Sequence, residues 1–251
     1  MKQKLLLFFA LLTLISCQNE EMKSKNAETV SLAAFQNKWI QAETDANTAR
    51  FNGFVTCYMF PKNDVLHLME TPQLKRIRFV LGVTNGKLDV ITQGVNSRGT
   101  SLGMISSTVV SNRHISNQIN QLATSRLRFS CNDAILRRHL LNPAQAYNYV
   151  NRWNMKLAEN ADLNDVISYD NVRINYFSID KEIVQEIADL SDFKYLGVLL
   201  GVNPEGKLTT VLLGLDINRD FIILSQTNKG GGANVPPTIF DFSQPCPNTC
   251  K

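Results

Sequence analysis

Gly99-Thr100-Ser101-Leu102-Gly103 carries the letters of a nucleophile elbow, G-x-S-x-G. In that motif a strand feeds the serine into a sharp turn, a helix follows, and an acid and then a histidine come later in the chain. The histidines after Ser101 are His114 and His139, and both follow closely, with no room for the β-α units that build a hydrolase sheet. Met104-Ile105-Ser106-Ser107-Thr108-Val109-Val110 reads as strand where the motif needs a helix. A glycine-rich loop between strands accounts for the same letters. His67, His114 and His139 stand at no metal-ligand spacing, and each is expected at the surface or at a cap. Asn228-Lys229-Gly230-Gly231-Gly232-Ala233 could approach a phosphate through backbone amides, but it lacks the Gly-Lys-Ser/Thr ending and precedes Asn234-Val235-Pro236-Pro237 instead of a helix. Asp89, Asp216, Asp220 and Asp241 are scattered. No catalytic residue, metal or cofactor is assigned on these grounds.

The cysteines say more. Lys2 and Lys4 form a positive n-region, residues 5–15 a short apolar core, and Leu14-Ile15-Ser16-Cys17 has the form of a lipobox. Eleven apolar residues are too few to span a bilayer, for which roughly 20 are needed. Residues 1–16 therefore read as a lipoprotein signal peptide, with Cys17 as the lipidated new N-terminus. Several acyl chains hold a protein at a membrane where one chain, at about 0.8 kcal/mol per buried methylene, holds it only reversibly. Residues 17–28 are polar and read as a flexible tether.

In an oxidising envelope, Cys57, Cys131, Cys246 and Cys250 allow two disulfides with three connectivities. The local pair Cys246/Cys250 is favoured, although Cys131 and Cys246 fall opposite each other when the ends of the two halves described below are aligned. A four-thiolate zinc site would want two close pairs, and Cys57 and Cys131 are isolated. A redox pair would want Cys-x-x-Cys.

The elements that would position these residues come in duplicate. Arg78-Phe79-Val80-Leu81-Gly82-Val83-Thr84-Asn85-Gly86-Lys87-Leu88 repeats as Gly197-Val198-Leu199-Leu200-Gly201-Val202-Asn203-Pro204-Glu205-Gly206-Lys207-Leu208, with one inserted residue. Upstream, Tyr58-Met59 aligns with Tyr176-Phe177, Asp64-Val65-Leu66 with Glu182-Ile183-Val184, and Lys38-Trp39 with Arg152-Trp153. The sequence therefore predicts an α+β protein of two tandem homologous α-β-α-ββ halves with antiparallel strands, 29–141 and 142–251. Each half opens with a helix, near Ser31 or at Asn142-Pro143. A short strand follows (54–59 or 172–177), then a helix from Pro61 or near Asp180, then a hairpin turning at Asn85-Gly86 or Pro204-Glu205-Gly206. Trp39 and Trp153 sit on apolar helical stripes and are expected in the core. The pattern leaves open whether the halves form a pseudo-symmetric pair or one sheet.

Without residues 1–16, Lys+Arg falls from 26 to 24 against 22 acidic residues. With no basic cluster, nucleic acid is an unsuitable partner. Gln18 to Glu21, with acidic Glu20-Glu21 just behind the cysteine, resembles Bacteroidota lipoproteins displayed on the outer face of the outer membrane. Phe240-Asp241-Phe242-Ser243-Gln244-Pro245-Cys246-Pro247-Asn248-Thr249-Cys250, together with Tyr58-Met59-Phe60-Pro61-Lys62-Asn63-Asp64, resembles a group of uncharacterised Bacteroidota proteins with a Cys-Pro-x-x-Cys-like tail, and that resemblance implies no activity. The expectation is a lipid-anchored envelope protein, on the surface or periplasmic side of the outer membrane. It would act as a non-catalytic binding module for a protein, small-molecule or glycan ligand. An envelope hydrolase with Ser101 as nucleophile is the alternative.

Overall fold

The computed structural model describes residues 31–42, 46–125, 133–160, 162–223, 239–241 and 245–246. The signal and the tether lie outside these residues. The chain from Leu32 onward is one compact unit.

In chain order the elements are α1 (Leu32–Gln41), α2 (Ala46–Ala49), β1 (Thr56–Pro61), α3 (Lys62–Met69), β2 (Arg76–Thr84), β3 (Lys87–Val95), β4 (Ser101–Ser106), β5 (Thr108–Ser111), α4 (Arg113–Thr124) and α5 (Ala134–His139). Then follow α6 (Pro143–Ala158), α7 (Asn164–Ile167), the small β6 (Ser168–Tyr169) and β7 (Val172–Arg173) hairpin, β8 (Tyr176–Asp180), α8 (Lys181–Ala188), β9 (Tyr195–Val202), β10 (Leu208–Leu215), β11 (Ile239–Asp241) and β12 (Pro245–Cys246). The class is α+β. Two antiparallel five-stranded sheets run β11-β10-β9-β1-β5 and β12-β8-β2-β3-β4.

The halves exchange strands. β1 pairs with β9 and β8 pairs with β2, so each short strand completes the sheet built by the other half's hairpin. Replacing β1 to β5 by β8 to β12, and the reverse, turns one strand order into the other. Pro61 stands opposite Tyr195, and Asp180 opposite Arg76. Pro61 and Asp180 are thus 119 positions apart, as are Gly82 and Gly201. The pairing therefore matches Tyr58 with Phe177 and corrects the sequence alignment with Tyr176 by one residue. A one-residue slip would turn every side chain to the other face, and burial follows the pairing: Tyr58 and Phe177 are both buried, whereas Tyr176 is half-buried.

Helix starts follow their caps. Asn142 and Gln145 form a capping box with Pro143 at the first turn of α6. Pro61 and Asp180 occupy the N-cap positions of α3 and α8. The segment 104–110, read as one strand, is two. Ser107 interrupts it and donates to Asp89 Oδ1 at 2.6 Å, so that β4 joins one sheet and β5 the other. The short strands also start later than expected, at Thr56 and Tyr176, and 172–173 belongs to a separate hairpin.

Polar contacts repeat between the halves. Lys87 Nζ donates to Asn47 O at 2.5 Å and Arg50 O at 3.0 Å, beside the Phe51 ring. Lys207 Nζ donates to Asp165 O at 2.6 Å and Ser168 O at 2.9 Å, beside the Tyr169 ring. In each half a hairpin lysine thus serves the carbonyls at the end of a short helix, where cations are favoured. Arginines cross between halves: Arg50 donates to Leu157 O at the end of α6, and Arg173 to Trp39 O and Ala42 O at the end of α1. Trp39 and Trp153 are buried in the main core, which takes side chains from both sheets and from α3 and α8. A second cluster fills the other face of the first sheet under α4 and α6.

Candidate functional site

Ser101 opens β4 and is exposed, with strand, not helix, after it. The turn before it is braced by Asn96, whose Oδ1 accepts from Arg98 N at 2.9 Å and Thr100 N at 3.0 Å while Gly99 takes φ +78°. The same turn recurs at Asn203, with Gly206 at positive φ, and at Asp216, with Arg219 in that role. Gly99 is therefore accounted for by a recurrent side-chain-braced turn, and the elbow letters arise without an elbow.

The histidines go elsewhere. His114 Nε2 lies 3.0 Å from Asp220 Oδ1 and 2.7 Å from Gln118 Nε2. Gln118 also binds Phe221 N and Arg219 O, so this group fastens α4 to the 216–220 turn. His139, expected at the surface or a cap, is buried at the end of α5. Burial lowers its pKa, opposed by the Asp180 charge and by a hydrogen bond to the Asp241 backbone. Ser101 makes no hydrogen bond to either histidine among the described residues. Asp89 accepts from Val90 N at 2.7 Å and from Ser107, a structural role. Asp241, on β11, has its pKa raised to about 7 by burial.

Cys57, weighed as a disulfide candidate, is a free thiol. Its strand lies between β9 and β5 in a sheet covered on both faces, which puts the sulfur in the second core cluster near Gly197. Burial pushes its pKa up to about 12. Cys246 is disulfide-bonded. Cys17, Cys131, Cys250 and the loop at 228–233 lie outside the described residues. Cys57 is expected to resist iodoacetamide at pH 8 for hours in the native protein and to react within minutes in 6 M guanidinium, as a core thiol should. Peptide mass mapping at Cys57 checks this. Among the described residues, no group of three or more His, Cys, Asp or Glu could hold a metal ion, and no helix is long and apolar enough to cross a membrane.

One feature that no motif marked is a cleft of about 520 Å³ between α3 and β4. Gly94 on β3 and Gly103 on β4 face each other across the ladder. A Cβ on either would stand 2.8 or 3.0 Å from Leu68 Cδ1, so the two glycines let α3 lie close over the strands. Asp64, His67, Leu68 and Thr71 form the helix side, and Leu102 to Ser106 the strand side. Met104 is 49% exposed, among the largest apolar side chains at the surface. β4 ends its sheet, and no described strand covers its outer edge. Such an edge presents unpaired N–H and C=O groups able to pair with another chain.

No family model, curated protein or solved structure matches this chain. The geometry alone bears on function. The cleft is lined by one histidine, one carboxylate and small hydroxyls, and the Thr71 hydroxyl donates to His67 O at 3.2 Å. The sequence signal that could have found the cleft is the pair Gly94 and Gly103, small residues inside strands that mark a close approach.

Proposed function

We propose that the protein is a lipid-anchored envelope module that binds a partner without chemistry of its own, held at the membrane through Cys17 by a tether over 17–28. The observation that carries this reading is the separation of the candidate catalytic groups: Ser101 on a sheet edge, His114 tied to Asp220 and Gln118, His139 buried against β11. An open cleft beside a strand edge that no described strand covers supports binding in its place. The signal peptide, the lipobox and the Glu20-Glu21 pair support placement at the outer membrane. The exchanged strands, matched glycines and matched lysines support an origin of the two halves by duplication.

A fluorophosphonate probe is expected to leave the purified protein unlabelled. Labelling that disappeared in Ser101→Ala would install the hydrolase in place of the module. Mass spectrometry of the N-terminal peptide should find residues 1–16 removed and acyl groups on Cys17, and an unmodified Met1 would remove the anchor.

A further inference from the structure

We propose that the α3/β4 cleft docks a segment of a partner protein in which basic residues are followed by two large aliphatic ones, the aliphatic pair adding as a strand to the outer edge of β4. This rests on the reading of the chain as a binding module and names that module's site.

The protein supplies its own precedent. In the exchanged correspondence β4 matches β11 and α3 matches α8. The outer edge of β11 is covered: Leu140 bridges Phe240 in antiparallel fashion, and Leu141 N donates to Ile239 O at 3.0 Å. The turn before it, α5, packs along α8 and against β11. Ile135, Leu136 and Leu140 pack on the main core there. So the chain's own segment covers the matching place in the other half, with helix α5 (Ala134–His139) along α8 and Leu140-Leu141 paired to β11. The α3/β4 cleft has no strand on its edge among the described residues.

The pairing fixes where a guest would sit. Thr92 stands opposite Ile105 as Leu212 stands opposite Phe240, so a residue playing the part of Leu140 would lie beside Ile105. The helix side gives the charge. Where α8 and the turn after it present buried Ile183 and Leu190, the positions 119 earlier are Asp64 and Thr71, exposed and half-buried. The covered cleft is walled with aliphatics suited to permanent closure. The open one carries a carboxylate and a hydroxyl suited to a partner that comes and goes. The one carboxylate of the lining, Asp64, beside an apolar strand favours a cationic, aliphatic segment, and main-chain pairing supplies affinity in this mode of recognition.

The test uses the full mature chain and a fluorescent synthetic peptide, Ala-Ile-Leu-Arg-Arg-His-Leu-Leu-Asn, copied from 134–142, read by anisotropy. Saturable binding is expected, weakened about tenfold by Asp64→Lys, the scale of a lost charged hydrogen bond, and abolished by N-methylation of the peptide amides that face the strand. A peptide with both leucines changed to serine should not bind. Asp64 is exposed, and an unchanged urea midpoint for Asp64→Lys keeps the comparison clean. Absence of binding to 1 mM peptide overturns the proposal, as does binding indifferent to Asp64→Lys and to N-methylation. Dimerisation of the free chain that Asp64→Lys disrupts would also overturn it, giving the edge to a second copy. All of these leave the module reading standing, since only probe labelling at Ser101 removes that.

Discussion

Gly82→Ala is expected to destabilise the protein by about 3 kcal/mol or more, the upper end for overpacking a core by one methyl. A Cβ built at Gly82 would fall within the Phe35 ring, overlapping Cδ1, Cε1 and Cζ. Phe35 is 2% exposed. α1 cannot lift away easily. Trp39, one turn on, donates from Nε1 to Ile174 O at 2.7 Å, and Arg173 binds Trp39 O and Ala42 O while stacking over the indole. Moving the helix would break those contacts as well. The matched position, Gly201, lies under Tyr149, whose Cβ and carbonyl carbon would stand 2.9 and 3.1 Å from a new methyl. Gly201→Ala should also destabilise. Urea unfolding at pH 5 measures both. In a double-mutant cycle Phe35→Ala should cancel much of the Gly82→Ala penalty, because the two changes occupy the same space. A loss under 1 kcal/mol for Gly82→Ala would mean that the ring does not sit on the glycine.

That glycine shows what the sequence could and could not disclose. The repeat containing Gly82 and Gly201 was plain as letters, because close approach of a helix to a strand demands glycine and leaves it at matching places. The cap at Asn142 with Pro143 and the turn at Asn85-Gly86 were legible for a similar reason, since they are local chemistry. Strand exchange was not legible. β1 pairs with β9 and β8 with β2, contacts far apart in sequence that local patterning does not encode. The one-residue register correction has the same source, because identical letters at Tyr58 and Tyr176 outweighed, on paper, a burial pattern visible only once the strands pair.

The candidate site was legible in even smaller part. The G-x-S-x-G letters drew attention to Ser101, whereas the same stretch shapes the cleft through Gly103, which admits Leu68, and through the outer edge of β4, which no described strand covers. Periodicity cannot tell an edge strand from a central one. Cys57 illustrates the converse: cysteine count and compartment made it a disulfide candidate, but the exchanged strand carries it into a sheet covered on both faces, where no second sulfur among the described residues reaches it.

Asp241→Asn is expected to make the protein more stable at pH 8, by up to about 4 kcal/mol, and nearly unchanged at pH 4. Burial raises the Asp241 carboxyl from 3.8 to about 7, and each unit is worth about 1.4 kcal/mol. Because the folded value is the higher one, the folded state holds this proton more tightly than the unfolded state. The stability contributed by the neutral acid is complete below about pH 4 and is lost as pH rises through about 7. Asparagine keeps the shape and never ionises, so the gap between variant and native chain should open across that window. The neighbouring His139 acts in the opposite sense. Its folded pKa is lowered, first by burial, so the stability it contributes is present above about 6.5 and is lost as pH falls. The native profile alone would therefore mix a falling and a rising limb near neutrality, and only the difference between the two proteins isolates the carboxyl. Urea midpoints from pH 4 to 8 give that difference. Parallel profiles would mean that Asp241 ionises as freely in the folded chain as in the unfolded one, which requires water to reach the β11 edge that Leu140 and Leu141 close.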